Sequence, residues 1–333
     1  MRWALIGASR IASSYMIEAI RAQDGAEVTA VLSSDATRGA GYAKTHGIPE
    51  SYTDLDKLLA EASADAVYIS TTNEKHHAQA MASIAAGKHV LCEKPLAMNV
   101  ADAAEMVRAA DAAGVTFATN HHLRNAGTHL AIRDLIASGR IGKVLSARIF
   151  HAVHLPGALQ GWRINDAAAG GGVIPDIVVH DADTIRFHLG EDPAKVVAQA
   201  GTSGMGQGVE DSVMSVWSMP SGAMVLTHES FTHPHAGSGI EFHGTDGSIF
   251  ARNVMTQQPI GEIWLQTAEG RSDIPFDTHN LYIRSLGLFY GAAKGEGRPS
   301  ADGPDGIKSL AVALAVREAA QSGREVTVDY GGL

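Results

Sequence analysis

Asp176 and His180 are the residues whose types and spacing best suit proton chemistry in this sequence. They are four residues apart, and a helix that begins at Pro175 would carry both side chains on one face. A histidine with a carboxylate neighbour titrates near neutrality, so it can donate a proton to the alkoxide that forms when hydride reaches a ketone carbon. The alternative is a local pair that only stabilises its helix.

Lys94 is a second candidate, in the stretch Val90–Leu96, which we interpret as a short buried strand that Pro95 stops. The residue before a proline is held in extended backbone. A lysine at the carboxyl end of a parallel strand would point into the crevice where open α/β sheets bind ligands. There it would place a positive charge beside a carbonyl oxygen on which negative charge develops. The alternative is a solvated lysine.

The first 120 residues must position Lys94, and there short apolar runs alternate with alanine-rich helical patterns. Such alternation predicts a parallel sheet with helices on both faces, a doubly wound α/β domain. The predicted strands are Arg2–Ile6, Val28–Leu32, Ala66–Ser70, His89–Cys92 and Thr116–Thr119, with a weak one near Ser51-Tyr52. The predicted helices lie near Ile11–Ala22, Thr37–His46, Leu55–Ala62, Lys75–Ala86 and Ala101–Ala113.

After about residue 120 the pattern changes to alternating runs, which indicate a mostly antiparallel open sheet. We therefore predict two domains, a dinucleotide-binding domain over 1–120 and an α+β substrate and catalytic domain over 121–333. The helices of the second part are expected near Thr128–Ala137, Pro175–His188, Leu281–Ala293 and Asp305–Gln321. Its strands are expected at Val144–Val153, Lys195–Ala200, Val213–Met219, Ala223–Glu229, Ile240–His243, Ile249–Arg252, Glu262–Gln266 and Glu325–Val328.

The segment Gly7–Ala12 follows the first strand and opens the first helix. It occupies the place of the dinucleotide fingerprint G-x-G-x-x-G/A, in which backbone amides and a helix N-terminus hold a pyrophosphate. Gly7 fills the first position, Ser9 stands at the second, and Ala12 at the third, where alanine is allowed. The motif is degenerate, but its position between a strand and a helix favours a dinucleotide loop.

The end of the second strand indicates which dinucleotide is used. An NAD enzyme usually carries an acidic residue there for the ribose 2′-hydroxyl, whereas this strand ends in Ser33 and Ser34, with Arg38 in the next helix. Two hydroxyls and an arginine can bind a 2′-phosphate. Asp35 would then cap the helix. We expect NADP(H) as the cofactor, with a preference for NADPH over NADH. The alternative is that Arg38 is only a solvated helix residue.

Composition excludes several other classes of protein. The 333 residues are 45% hydrophobic and 19% charged, as in globular domains, and the net charge of -10 argues against binding to nucleic acid or anionic lipid. The single cysteine, Cys92, rules out an internal disulfide and fits a reducing compartment. No apolar run could span a bilayer, and we expect no leader before the first strand, which begins near Trp3. We expect a cytoplasmic protein.

The chain has 16 histidines, but none shows the spacing of a metalloprotease-type site, so we expect no metal. The histidines that would invite a metal interpretation are His121, His122, His151, His154, His228, His233 and His235.

Four motifs in order resemble the Gfo/Idh/MocA oxidoreductases over essentially the whole chain. They are Gly7–Ala12, Ser70–His76, Cys92–Pro95 and the run Gly170-Gly171-Gly172-x-x-x-Asp176-x-x-x-His180, with Ser300–Gly303 before the last helix. Other members commonly keep a glycine where Ser9 stands and an acidic residue near Ser33. Those two departures disfavour the NAD-dependent inositol and glucose enzymes and favour an NADP-using reductase.

The resemblance implies NADPH-dependent reduction of a small cyclic sugar ketone, with His180 as proton donor and Lys94 and Asp176 completing the catalytic group. It implies that cofactor contacts come from Ser9, Arg10, Ile11, Ala12, Ser33, Ser34, Arg38, Thr71, Thr72, Asn73, His76, Glu93, Lys94, Asn120, Trp162, Arg163 and Tyr282. Two alternatives remain: a dehydrogenase of another sugar or inositol, and a catalytically silent NADP-binding sensor or scaffold. The expected partner is a small-molecule substrate. The open sheet face would be either solvated or available to another subunit, so the oligomeric state is open.

Overall fold

The computed structural model describes residues 1–332, which divide into two units. The first consists of Met1–His121 and Tyr282–Ile307, and the second consists of His122–Leu281 and the segment from Lys308 onward. The division predicted from the sequence, 1–120 and 121–333, stays a prediction. In the structure the first unit also includes Tyr282–Ile307, a segment that the sequence pattern did not separate from the second domain.

A six-stranded parallel sheet forms the centre of the first unit. Its strands are β1 (Arg2–Ile6), β2 (Glu27–Leu32), β3 (Glu50–Tyr52), β4 (Ala66–Ile69), β5 (His89–Cys92) and β6 (Phe117–Thr119). They lie in the order β3-β2-β1-β4-β5-β6, and every neighbouring pair is parallel. This is the doubly wound dinucleotide-binding order, so the predicted fold class is confirmed. The weak strand predicted near Ser51-Tyr52 is β3.

Three of the five α-helices that lie between the strands of this sheet begin at a residue whose side chain caps them. The five are α1 (Ile17–Arg21), α2 (Ala36–His46), α3 (Leu55–Glu61), α4 (His76–Ala85) and α5 (Val100–Ala113). Asp35, Asp54 and Asn99 each accept a hydrogen bond from the amide three residues later. Gly47 and Gly114 end α2 and α5 in the left-handed conformation that glycine adopts without strain. These local signals position the loops at the carboxyl ends of the strands.

The second unit contains a nine-stranded, mostly antiparallel sheet, as predicted. Its strands are β7 (Val144–Ala152), β8 (Lys195–Gly201), β9 (Ser212–Ser218), β10 (Met224–Ser230), β11 (Ser238–Gly244), β12 (Gly247–Arg252), β13 (Glu262–Thr267), β14 (Gly270–Asp273) and β15 (Val326–Thr327). They lie in the order β14-β13-β12-β11-β7-β10-β9-β8-β15, and only β7 and β10 pair in parallel among the described residues. Ile149, Val225 and Phe242 are buried on one face, whereas Met214 and Met224 lie exposed on the other.

The second unit also contains α6 (Gly127–Ala137), α7 (Trp162–Asn165) and α8 (Val179–Leu189), and a π-helical turn, Ile174–Val178, precedes α8. The prediction of a single α-helix from Pro175 is therefore wrong in its first turn, which is π-helical. Almost all of α9 (Leu281–Ala293) belongs to the first unit, and the division at residue 307 falls within α10 (Gly303–Ser322). None of the helices within residues 1–332 combines the length and apolar character that a membrane span needs.

Candidate active site and cofactor-binding residues

The predicted pyrophosphate loop has the backbone that its motif requires. Gly7 has φ 115°, and a Cβ there would lie 3.1 Å from Ser70 O, so a side chain would not fit. Ser9 Oγ accepts a hydrogen bond from Ala12 N at 3.1 Å and lies 2.8 Å from Ser70 Oγ. The serine that replaces a glycine in the motif thus caps a helical segment that starts at Arg10, passes through a π-helical turn at Ala12–Met16 and continues as α1. Arg10 is exposed, and Ile11 follows it in the first helical turn.

Ser33, Ser34 and Arg38 converge at the end of β2. Arg38 Nε donates to Ser33 Oγ at 3.1 Å, and its Nη2 donates to Ser34 Oγ at 3.2 Å. Asp35 Oδ1 accepts from the Arg38 amide at 2.6 Å, which makes Asp35 the cap of α2. A guanidinium and two hydroxyls at one point are a donor set that fits the 2′-phosphate of NADP.

Glu93 follows β5 and accepts hydrogen bonds from two side chains. Its Oε1 accepts from Tyr68 Oη and from Asn120 Nδ2, the latter at 2.6 Å. Burial, and then the charge of Glu93, raise the pKa of Tyr68 well above its ordinary value, so Tyr68 remains a donor. Within the described residues, the fully buried Asn120 Oδ1 receives no hydrogen bond. A buried acceptor of this kind fits an N–H or O–H group of a bound cofactor. Lys94, next in the chain, is half-buried.

The loop after β4 supplies four further predicted cofactor residues. Thr71 Oγ1 donates to Gln79 Oε1 at 2.6 Å, and Thr72 Oγ1 donates to Glu74 Oε1 at 2.7 Å. His76 is fully buried, with Nδ1 2.8 Å from Pro95 O and Nε2 3.3 Å from Thr71 O. Its ring therefore joins the β4 loop to the Lys94–Pro95 segment. Asn73 is also buried.

Tyr282 lies in the interior of the first unit. Its ring stacks on Tyr15 with centroids 5.0 Å apart, and its side chain is fully buried. Burial, and then the charge of Glu93, raise the pKa of Tyr282 well above its ordinary value. The contact between Tyr282 and the cofactor stays a prediction.

Asp176 lies in the π-helical turn of the second unit and pairs with Arg163. Arg163 Nε is 3.3 Å from Asp176 Oδ2, and the guanidinium carbon lies 4.6 Å from the ring centre of Trp162. The glycine run allows this close packing, because a Cβ on Gly171 would lie 2.6 Å from Trp162 O. Two residues predicted as cofactor contacts therefore lie beside a residue predicted to be catalytic.

Glu210, which sequence reasoning missed, fixes the start of the same turn. Its Oε1 accepts from the Ile174 amide at 3.2 Å, and its backbone oxygen accepts from the Val173 amide at 3.0 Å. A carboxylate at the amino end of a helix satisfies free amides and favours the helix dipole. Glu210 comes from the loop before β9, so no local pattern in the sequence identifies it.

His180 stands in the first turn of α8, half-buried, with its ring edge against His122 at a centroid distance of 4.9 Å. The turn that carries His122 is tied to α8 by a buried ion pair that the sequence analysis also missed. Arg124 Nε lies 2.7 Å from Asp183 Oδ2, and Arg124 Nη2 lies 2.6 Å from Asp183 Oδ1. This bidentate pair holds the two elements on which His122 and His180 stand.

Two further features of the first unit are the buried Cys92 and a group of three possible metal ligands. Cys92 is buried, and burial raises the pKa of its thiol well above the ordinary value, so it is a poor nucleophile. His77, Asp102 and Glu105 bring possible metal-ligand atoms within 4.8 Å of one another, on α4 and α5. His77, the one histidine of this group, is not among the histidines singled out in the sequence.

Comparison with known proteins gives family matches over both parts of the chain. A model described as "Oxidoreductase family, NAD-binding Rossmann fold" matches residues 1–121, and one described as "GFO/IDH/MocA C-terminal domain" matches residues 129–250. The chain is 54% identical over 331 residues to 1,5-anhydro-D-fructose reductase of Ensifer adhaerens, covering 99% of both chains. It is 29% identical to D-xylose 1-dehydrogenase (NADP(+)) 2 of Haloferax volcanii, over 99% of this chain and 100% of that one.

Solved structures share the fold along the whole chain. Aldose-aldose oxidoreductase from Caulobacter crescentus, complexed with glycerol, superimposes with a TM-score of 0.89 at 25% identity, covering 98% of this chain and 99% of the other. Levoglucosan dehydrogenase in complex with NADH and L-sorbose gives a TM-score of 0.87 at 21% identity and covers 100% of both chains. The second likeness bears on the fold alone.

Proposed function

The chain belongs to the Gfo/Idh/MocA oxidoreductase family, and from that membership we propose that it reduces a small cyclic sugar ketone with NADPH. The proposed reaction converts 1,5-anhydro-D-fructose to 1,5-anhydro-D-mannitol. The observation that carries this proposal is the 54% identity over 331 residues to the Ensifer adhaerens reductase of that sugar. The doubly wound first unit supports it, because it presents the phosphate loop that a dinucleotide requires.

The preference for NADPH rests on the residues at the end of β2. Ser33, Ser34 and Arg38 would hold the 2′-phosphate, and Asp35 is engaged in capping α2. The loop from Ser9 to Ala12 would hold the pyrophosphate through backbone amides at the helix start. When bound, NADPH supplies the hydride that the reduction needs.

The chain's own residues supply the proton and the positive charge. We assign proton donation to His180, whose imidazolium can protonate an alkoxide oxygen. Lys94 would stabilise the negative charge that develops on that oxygen. Asp176 would hold the donor and the substrate in orientation, and its ion pair with Arg163 restrains the position of the carboxylate. We also propose that the enzyme works in the cytoplasm, where the Cys92 thiol would stay reduced.

A substrate panel tests the proposal. NADPH oxidation by the purified full-length chain is followed with 1,5-anhydro-D-fructose and other keto-sugars, and NADP⁺ reduction is followed with inositols and aldoses. We expect the highest kcat/KM for 1,5-anhydro-D-fructose and a product with the manno configuration by NMR. A higher kcat/KM for another sugar or an inositol would favour the dehydrogenase alternative. NADPH binding with no turnover of any compound would favour a sensor.

A further inference from the structure

Two carboxyl groups lie side by side in the interior of the second unit. Glu229 on β10 and Asp181 on α8 are both fully buried, and their carboxyl groups are close enough to interact electrostatically. Within the described residues, Glu229 Oε1 and Asp181 Oδ2 receive no hydrogen bond from any N–H or O–H group. Two ionised carboxylates repel strongly in a medium of low dielectric constant, whereas one shared proton would satisfy both of these oxygens.

The hydrogen bonds on the other side of Glu229 fix which of its oxygens carries that proton. Trp217 Nε1 donates to Ser215 Oγ at 2.8 Å, Ser215 and Thr227 are 2.7 Å apart at their hydroxyl oxygens, and Thr227 Oγ1 donates to Glu229 Oε2 at 3.1 Å. The single hydroxyl hydrogen of Thr227 goes to Glu229, so the Ser215 hydroxyl is the donor to Thr227 Oγ1. Glu229 Oε2 thus accepts a hydrogen bond, and Oε1 is left to bear the proton.

The second oxygen of Asp181 fixes a histidine in the same way. His151 Nδ1 is 2.8 Å from Asp181 Oδ1, and with Asp181 as the acceptor of this hydrogen bond the Nδ1 atom would carry a hydrogen. His151 on β7 is the direct neighbour of Glu229 in the parallel pairing of β7 and β10, so both side chains lie on the sheet face towards α8. With the shared proton on Glu229, Asp181 would receive one donor from each strand.

We propose that Glu229 stays protonated at neutral pH and donates to Asp181, and that this pair locks His151 in the tautomer with its proton on Nδ1 and an acceptor at Nε2. The electrostatics agree, because burial, and then the negative charge of Asp181, raise the pKa of Glu229 well above its ordinary value. The His151 side chain is 12% exposed, so part of the ring remains accessible from outside the core.

The role that follows rests on the proposed sugar-ketone reduction. Asp181 follows His180 directly in the first turn of α8, so an Asp181 side chain held from both strands also fixes the backbone on which the proton donor stands. His151 Nε2, kept as an acceptor, suits a hydroxyl of a polyhydroxylated ring. Glu229 and Asp181 act in this scheme as positioning residues.

Infrared and NMR spectra test the shared proton without any substrate. We expect the wild-type protein at neutral pH to show the carbonyl-stretch band of a buried protonated carboxyl group. The band should be lost in Glu229→Gln and kept in Glu262→Gln, a matched change of an exposed glutamate on β13. In ¹⁵N-histidine spectra, with the His151 signal assigned by His151→Gln, we expect protonated Nδ1 and unprotonated Nε2. No band sensitive to Glu229→Gln, or a proton on Nε2, would overturn the proposal.

Kinetics test the positioning role. Glu229→Gln keeps a donor towards Asp181 and an acceptor for Thr227, so kcat/KM for the ketone should stay within about twofold of wild type. Glu229→Leu removes the donor to Asp181, and we expect kcat/KM to fall by about tenfold or more, with an unchanged NADPH Kd. Equal kinetics in both variants would overturn the positioning role. If the wild type reduces no keto-sugar, the proposed function fails, and the spectra still decide the shared proton.

Discussion

The residues proposed to select the cofactor and those that hold the proton donor are organised in opposite ways. The cluster at the end of β2 spans six consecutive residues, Ser33–Arg38, and most of it is exposed. The surroundings of His180 come from distant parts of the chain and are mostly buried; they are His122, Arg124, His151, Asp181, Asp183 and Glu229. Local, exposed clusters can be changed one residue at a time, whereas a buried, non-local network is stabilised or lost as a unit.

We expect the largest effect when the reacting groups themselves are removed. His180→Ala and Lys94→Ala should each lower kcat by about a hundredfold to ten-thousandfold, the usual contribution of a positioned acid or of a charge beside the reacting oxygen. NADPH binding, measured by fluorescence titration, should be retained. The exposed His235 of the second unit offers a control, His235→Ala, with normal turnover. Near-normal kcat in either variant would refute the role assigned to that residue.

The second effect concerns the stability of the buried network. Arg124→Ala leaves the Asp183 carboxylate buried to 98% without its bidentate partner, and we expect the free energy of unfolding to fall by about 3–5 kcal/mol. Arg271→Ala is the matched control, because its ion pair with Asp273 is exposed and solvent-screened, and the loss should be much smaller. Urea unfolding followed by circular dichroism measures both. Similar losses in the two variants would mean that burial does not distinguish them.

The same contrast explains what could be predicted from the sequence. The β-strands of the first unit are apolar runs between turn signals, and the caps Asp35 and Asn99 stand immediately before their helices. Gly7 and Ser9 were found because their motif is short and lies between a strand and a helix. Features of this kind depend on neighbours within a few residues, so a pattern can identify them.

The sequence did not predict the buried network, because its partners are far apart in sequence. Arg124 and Asp183 are separated by 59 residues, and nothing near either one identifies the other. Glu229 did carry a signal, since the alternation along β10 puts it on the same buried face as Val225 and Thr227. An acidic residue at an inward position of a strand predicts a special environment, but only the fold identifies Asp181 and His151 as its neighbours.

A smaller effect is expected at the cofactor cluster, where each residue acts separately. Arg38→Ala removes the guanidinium that would pair with a 2′-phosphate, and the Kd for NADPH should rise by about tenfold or more while the Kd for NADH changes little. Ser33→Asp should shift the preference towards NADH, because a carboxylate binds ribose hydroxyls and repels a phosphate. Lys44→Ala, an exposed change on the same helix, is the control. Equal losses for both cofactors in Arg38→Ala would contradict this assignment.

The smallest effect should separate the two possible roles of Asp35. Asparagine caps helices about as well as aspartate, so Asp35→Asn should leave the free energy of unfolding nearly unchanged, whereas Asp35→Ala should lower it by about 1 kcal/mol. If Asp35 only caps α2, the preference for NADPH over NADH in kcat/KM should stay the same or rise slightly in Asp35→Asn. The reason is that the change removes one negative charge beside the proposed phosphate site. If Asp35 instead binds the ribose hydroxyls, NADH affinity falls at unchanged stability, and the cluster at the end of β2 would have to be reinterpreted as an NAD site.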